Sequence, residues 1–169
     1  MFVMLKIVGS IFIITATTGI GFSKSKELHN HLNTLEELKK LFCLLRSELQ
    51  YTHAPFTEVF SKISRKINTP YREWLSHLSQ RLMKKTRGSF WEIWCQSITE
   101  DLQKTSLKAD ELEELENIGK NMEYIESLEL YIEQLEYRIK NTREAYRSKR
   151  KLCQSMGIMG GIFLVILLL

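Results

Sequence analysis

The stretch LHNHLNTLEELKKLFCLLRSEL, residues 28–49, decides the fold class. Leu28, Leu32, Leu35, Leu38, Phe42, Leu45 and Leu49 recur every three or four residues. That spacing lays them along one face of a helix and excludes the two-residue alternation of a half-buried strand. The helix must end before Pro55, because a proline ring cannot continue it, yet its fixed φ suits the first turn of a following helix. That second helix would bury Phe56, Val59, Phe60, Ile63 and Ile67. Pro70 opens a third in the same way, with Tyr71, Trp74, Leu75, Leu78 and Leu82.

Further along, Gly88 breaks the chain and Ser89 is expected to cap a fourth helix carrying Phe90, Ile93, Trp94, Ile98 and Leu102. Asp110 is expected to cap a fifth, with Leu112, Leu115 and Ile118, closing near Gly119. The last pattern is the longest: Ile125, Leu128, Ile132, Leu135, Ile139, Thr142 and Tyr146 form a heptad seam expected to run on into the C-terminal segment. The seam serves either as a core stripe or as a coiled-coil contact with another chain. Trp74, Trp91 and Trp94 fall on or beside apolar stripes and are expected in the core. The reading is all-α: a six-helix bundle flanked by N- and C-terminal transmembrane helices.

The flanks come from the distribution of charge. Of 169 residues, 44% are hydrophobic and 26% charged, which bounds the chain to one ordinary domain. Residues 2–22 carry Lys6 as their single charge and match the roughly 20 residues of a membrane-crossing helix. A cleaved signal peptide is the competing reading, weakened by the lack of a small-x-small cleavage site. The run 152–169 gives roughly 27 Å of helix against a hydrocarbon core of roughly 30 Å, a barely sufficient span. Within it, Gly157 and Gly161 are spaced for close helix contact. Basic residues cluster on the inner side of both runs, at Lys24 and Lys26 and again at Arg143, Arg147, Lys149, Arg150 and Lys151. The positive-inside rule then places the middle of the chain in the cytoplasm. The expected organisation is an N-terminal transmembrane helix at 1–22, a cytoplasmic bundle at 23–151 and a C-terminal transmembrane helix at 152–169.

Charge is also polarised along the middle. Residues 23–87 carry a net +7 and residues 88–142 a net −8, within an overall +4. Nucleic-acid binding needs a basic face without such a compensating acidic block, so that class is set aside. The polarity fits internal pairing of the two halves or docking of charged protein partners. From charge alone, Asp110, Glu111, Glu113, Glu114 and Glu116 form one candidate docking patch, and Lys62, Arg65 and Lys66 another.

Chemistry is otherwise sparse. Cys43, Cys95 and Cys153 are odd in number and far apart, and His29 and His31 point to different faces of a helix, so neither a disulfide framework nor a metal site is expected. Phosphate-loop, nucleophile-elbow and H-E-x-x-H patterns do not occur in the sequence. No enzyme activity and no cofactor are expected.

Four stretches resemble one family: KIVG at 6–9, TATTGIGF at 15–22, ELQYTHAPFTE at 48–58 and SMGIMGG at 155–161 with the leucine-rich end after it. Together they are similar to the stage III sporulation protein AB family over the whole length. Two departures stand out. Ala54 takes the place of a threonine before the proline, and the turn IGKNME at 118–123 lacks a second glycine, which leaves a longer continuous helix open there as the alternative to a tight corner.

The resemblance implies a component of the secretion-like complex between mother cell and forespore in endospore-forming bacteria, lodged in the mother-cell membrane around the forespore. It implies a likeness to the cytoplasmic domain of the type II secretion platform protein F, with a cytoplasmic ATPase, stage III sporulation protein AA, as docking partner. Other stage III sporulation proteins would complete the assembly, and self-association stays open. The alternative function is a two-span membrane adaptor that pairs with another membrane protein through its last helix, without ATPase contact.

Overall fold

The computed structural model describes residues 2–52, 54–84 and 88–168, with side-chain surroundings for most positions between 26 and 149 and for a few beyond. Six helices follow in order: α1 Phe2–Tyr51, α2 Phe56–Ser64, α3 Tyr71–Met83, α4 Phe90–Asp101, α5 Ala109–Ile118 and α6 Ile125–Leu168. Among the described residues there is no strand. The chain divides into two compact units, His31–Lys140 and the pairing of Met1–Asn30 with Asn141–Leu169.

Within His31–Lys140 the expected stripes close on one another. Leu35, Leu38, Phe42 and Leu45 of α1 are fully buried, as are Phe60, Ile63, Trp74, Leu75, Leu78 and Leu128. Burying a side chain of that size stabilises by about 2 kcal/mol. An aromatic file runs through the centre, from Phe56 through Phe90 and Trp94 to Trp74 and Tyr71. Its polar tips are satisfied: Trp74 Nε1 donates to Ser97 Oγ at 2.9 Å, Trp94 Nε1 to the Leu115 carbonyl at 2.8 Å, and Tyr71 Oη to the Thr34 carbonyl at 3.2 Å.

Helix ends follow local chemistry. Pro55 and Pro70 stand directly before α2 and α3. Ser89 caps α4 in a full capping box with Glu92, the hydroxyl accepting the Glu92 amide while the Glu92 carboxylate accepts the Ser89 amide. Gly88 before it has φ 149°, a conformation that side chains rarely adopt.

Two sequence expectations need correction, and one alternative is decided. Lys108, not Asp110, is the residue before α5, and Asp110 lies in the first turn. Trp91 is 41% exposed, under the ammonium of Lys120 at 5.1 Å from the ring centroid, because α4 turns Phe90, Ile93, Trp94, Ser97 and Ile98 inward and leaves position 91 outside. The corner at 119–124 forms without its second glycine. Gly119 ends α5, Met122 is buried at 1% exposure, and amides at 119, 120, 121 and 124 return to carbonyls three residues back.

In the second unit, α1 and α6 meet where the rings of His29 and Tyr146 lie 5.7 Å apart. Among the described residues no helix is long and apolar enough to cross a membrane. The side chains of 2–22, and those around Gly157 and Gly161, lie outside the described residues.

Candidate functional site

The two patches singled out by charge have different fates. In the acidic one, α5 begins beside the middle of α6 and the His31 end of the core, and three of its five carboxylates are paired with groups of the same chain. Glu111 is 3% exposed. His31 Nε2 lies 3.0 and 2.9 Å from its two oxygens and donates to them, since a carboxylate only accepts. The Lys108 amide donates to Glu111 Oε2 at 2.8 Å, and Arg138 Nη1 lies 3.8 Å from Oε1. The same guanidinium donates to Asp110 at 2.9 Å and to Glu114. The Arg138 hydrogen bond is the main reason the Asp110 carboxyl is held below its usual range.

This knot of His31, Asp110, Glu111, Glu114 and Arg138 ties α1, α5 and α6 together. On its inner side, burial, with Tyr131 and Glu111 adding to it, pushes the Tyr71 phenol well above the ordinary range, and burial does the same to Tyr131. Glu111 is therefore corrected from a surface docking residue to a structural one, because an ion placed there must be paired to be tolerated. Glu113 stays exposed and Glu116 half-buried.

The basic patch stays at the surface. Lys62 Nζ donates to Glu48 at 2.6 Å and Lys66 Nζ to the same carboxylate at 3.3 Å, while Arg65 is exposed. The hydrogen bond from Lys62 contributes most to holding the Glu48 carboxyl below its usual value. Two ammonium groups share one carboxylate, so the patch keeps a net positive charge.

The polarity of the sequence is thus partly spent on internal pairing. Lys39 meets Glu136 at 2.6 Å, Arg46 meets Glu129 at 3.5 Å, and Arg81 meets Glu100, each joining the basic half to the acidic half. Sequence reasoning missed the His31–Glu111 pair, since residues 80 apart carry no local signal of contact. The one hint was a histidine inside a stretch that otherwise reads as core stripe. The heptad seam also resolves: Leu128, Ile132, Leu135 and Ile139 all lie in the core of the His31–Lys140 unit. An adaptor that pairs through that seam would have to open its own core.

Among the described residues no three histidine, cysteine, aspartate or glutamate side chains form a group able to hold a metal ion. The Glu111 carboxylate is held by His31 and the Lys108 amide, with Arg138 close by, and it is 3% exposed.

Comparison with known proteins adds identity to this geometry. The family model described as stage III sporulation protein AB matches residues 6–169. Stage III sporulation protein AB of Bacillus subtilis (strain 168) is 27% identical over 172 residues, covering 98% of this chain and 100% of that protein. A solved structure titled stage III sporulation protein AB superposes with a TM-score of 0.64, at 22% identity, over 70% of this chain and 97% of that one. At that identity the superposition speaks for the fold.

Proposed function

The chain belongs to the stage III sporulation protein AB family, and on that premise we propose that it is a non-enzymatic membrane platform that docks a cytoplasmic ATPase. Its place would be the secretion-like channel complex between mother cell and forespore, in the mother-cell membrane around the forespore, beside other stage III sporulation proteins. Stage III sporulation protein AA is the expected ATPase.

The observation that carries this reading is the extent of α1 and α6. Each is one helix that holds core residues of the His31–Lys140 unit and continues into a nearly uncharged terminal run. The energy would come from the partner, because the sequence has no phosphate loop of its own. Glu113 and Glu116 are the docking contacts that α5 leaves available. Lys62, Arg65 and Lys66 offer a second contact on a different flank.

Two measurements test the reading. Protease added to inverted vesicles should digest the middle of the chain, and protease added to sealed cells should not. Digestion from outside would remove the ATPase as a direct partner. Glu113→Lys with Glu116→Lys should weaken ATPase capture at low salt while leaving helicity intact, and unchanged capture would refute the α5 contact.

A further inference from the structure

We infer that copies of this chain associate head to tail, the outward stripe of α6 on one copy docking against the basic flank of α1 and α2 on the next. The inference does not rest on the ATPase contact through α5, and it gives the basic flank of α2 a second copy as its occupant in place of the ATPase.

The argument begins with what surrounds α1 in the His31–Lys140 unit. On one flank, Lys39 and Arg46 reach Glu136 and Glu129 of α6. On the other, Glu48 takes Lys62 and Lys66 of α2, and Glu37 accepts the Asn68 amide just beyond it. The helices α6 and α2 therefore lie to either side of α1, and each presents an outer face of opposite sign.

On α6 the helical period separates three faces. Leu128, Tyr131, Ile132, Leu135 and Ile139 point into the core. Glu129 and Glu136 turn toward α1. One step further round come Glu126, Leu130, Glu133 and Tyr137, spaced four, three and four residues apart on the side away from the core. Leu130 is 57% exposed and Tyr137 68%, one heptad apart, and both intervening glutamates are exposed. Neither Glu126 nor Glu133 forms an ion pair among the described residues. This is a second seam, apolar at its centre and acidic at its edge.

The flank beyond α1 supplies the complement. Arg65 is exposed, Lys62 and Lys66 share one carboxylate, and Tyr51, one turn after Glu48, is 81% exposed. Both surfaces thus combine an exposed aromatic ring with uncompensated charge of opposite sign. Because they sit on opposite flanks of α1, they cannot meet within one chain. The contact they make is heterologous, and repeated it gives a ring or an arc.

The test uses the full chain in a non-ionic detergent that covers its apolar ends, with size measured by sedimentation over a range of concentration. At low salt the wild type should form species larger than one copy, and raising the salt to several hundred millimolar should weaken association roughly tenfold or more. The variant Glu126→Lys/Glu133→Lys should remain a single copy at low salt, as should Arg65→Glu/Lys66→Glu. An equal mixture of the two should associate again, since each retains the face the other lacks. Recovery on mixing also shows that neither variant had merely failed to fold. A wild type that stays single at low salt, association indifferent to salt and to both reversals, or a mixture that does not recover would each overturn the inference.

Discussion

The acidic segment of α5 and the basic segment of α2 read alike in sequence, as short helices dense in one sign of charge, yet they occupy opposite extremes of depth. The Glu111 side chain is 3% exposed and the Lys62 side chain 50%. The difference lies in the counterions. Glu111 meets a histidine 80 residues away that α1 brings inside, and its helix neighbours meet Arg138 from α6. Lys62 and Lys66 meet Glu48, 14 and 18 residues back, at the rim. Charge at depth fixes which helices adjoin; charge at the rim is paired with a near neighbour and stays in contact with solvent.

Removing one side of the deep pair should give the largest effect. Glu111→Leu leaves His31 buried without its acceptor and frees the Lys108 amide, and should cost about 3 kcal/mol or more of unfolding free energy. The double change His31→Leu/Glu111→Leu should recover a good part of that loss, because two apolar groups leave nothing unsatisfied. Urea unfolding followed by circular dichroism reads both. A loss under about 1 kcal/mol for the single variant would show the pair to be solvated and would abolish the contrast with α2.

A smaller effect belongs to the corner that sets α5 against α4. A Cβ added at Gly119 would overlap Trp94 Cδ1, and that ring is fixed by its hydrogen bond to the Leu115 carbonyl. Gly119→Ala should therefore cost about 1–3 kcal/mol by overpacking, with a matching change in tryptophan fluorescence. If α5 yields without loss, its depth is held by the ionic knot alone. If it does not, apolar contact and ion pairing hold it together.

Most of this fold was legible in the residues. The stripes of α1, α2, α3 and α6, the proline helix starts and the Ser89 cap are local signals, set by period and by capping chemistry that a short window contains. The candidate site was legible only as composition. Nothing near Glu111 distinguishes it from Glu113, because its fate is decided by His31 and Arg138, which the topology brings from distant helices. Trp91 failed for a related reason: it neighbours an apolar stripe in sequence but lies a third of a turn off it on the helix.

The smallest effect concerns Asp110, which lies at the outer edge of the knot. Its side chain is 59% exposed, yet its carboxyl is held low by Arg138. A carboxyl whose folded value is depressed contributes stability above its unfolded value, near the ordinary carboxylate range, and loses it as the pH falls through the lower folded value. Solvent screening keeps that contribution under about 1 kcal/mol. Asp110→Asn should accordingly remove a shallow part of the acid limb of the stability curve and leave neutral stability little changed. Glu48, also held low but by surface lysines, serves as its counterpart on α2. Salt should weaken the Glu48 contact first, because Arg138 is also tied to Glu114 and borders the buried Glu111. Equal salt sensitivity of the two acid limbs would mean that the knot protects only Glu111, and that the divide between structural and surface charge runs through α5 between positions 110 and 111.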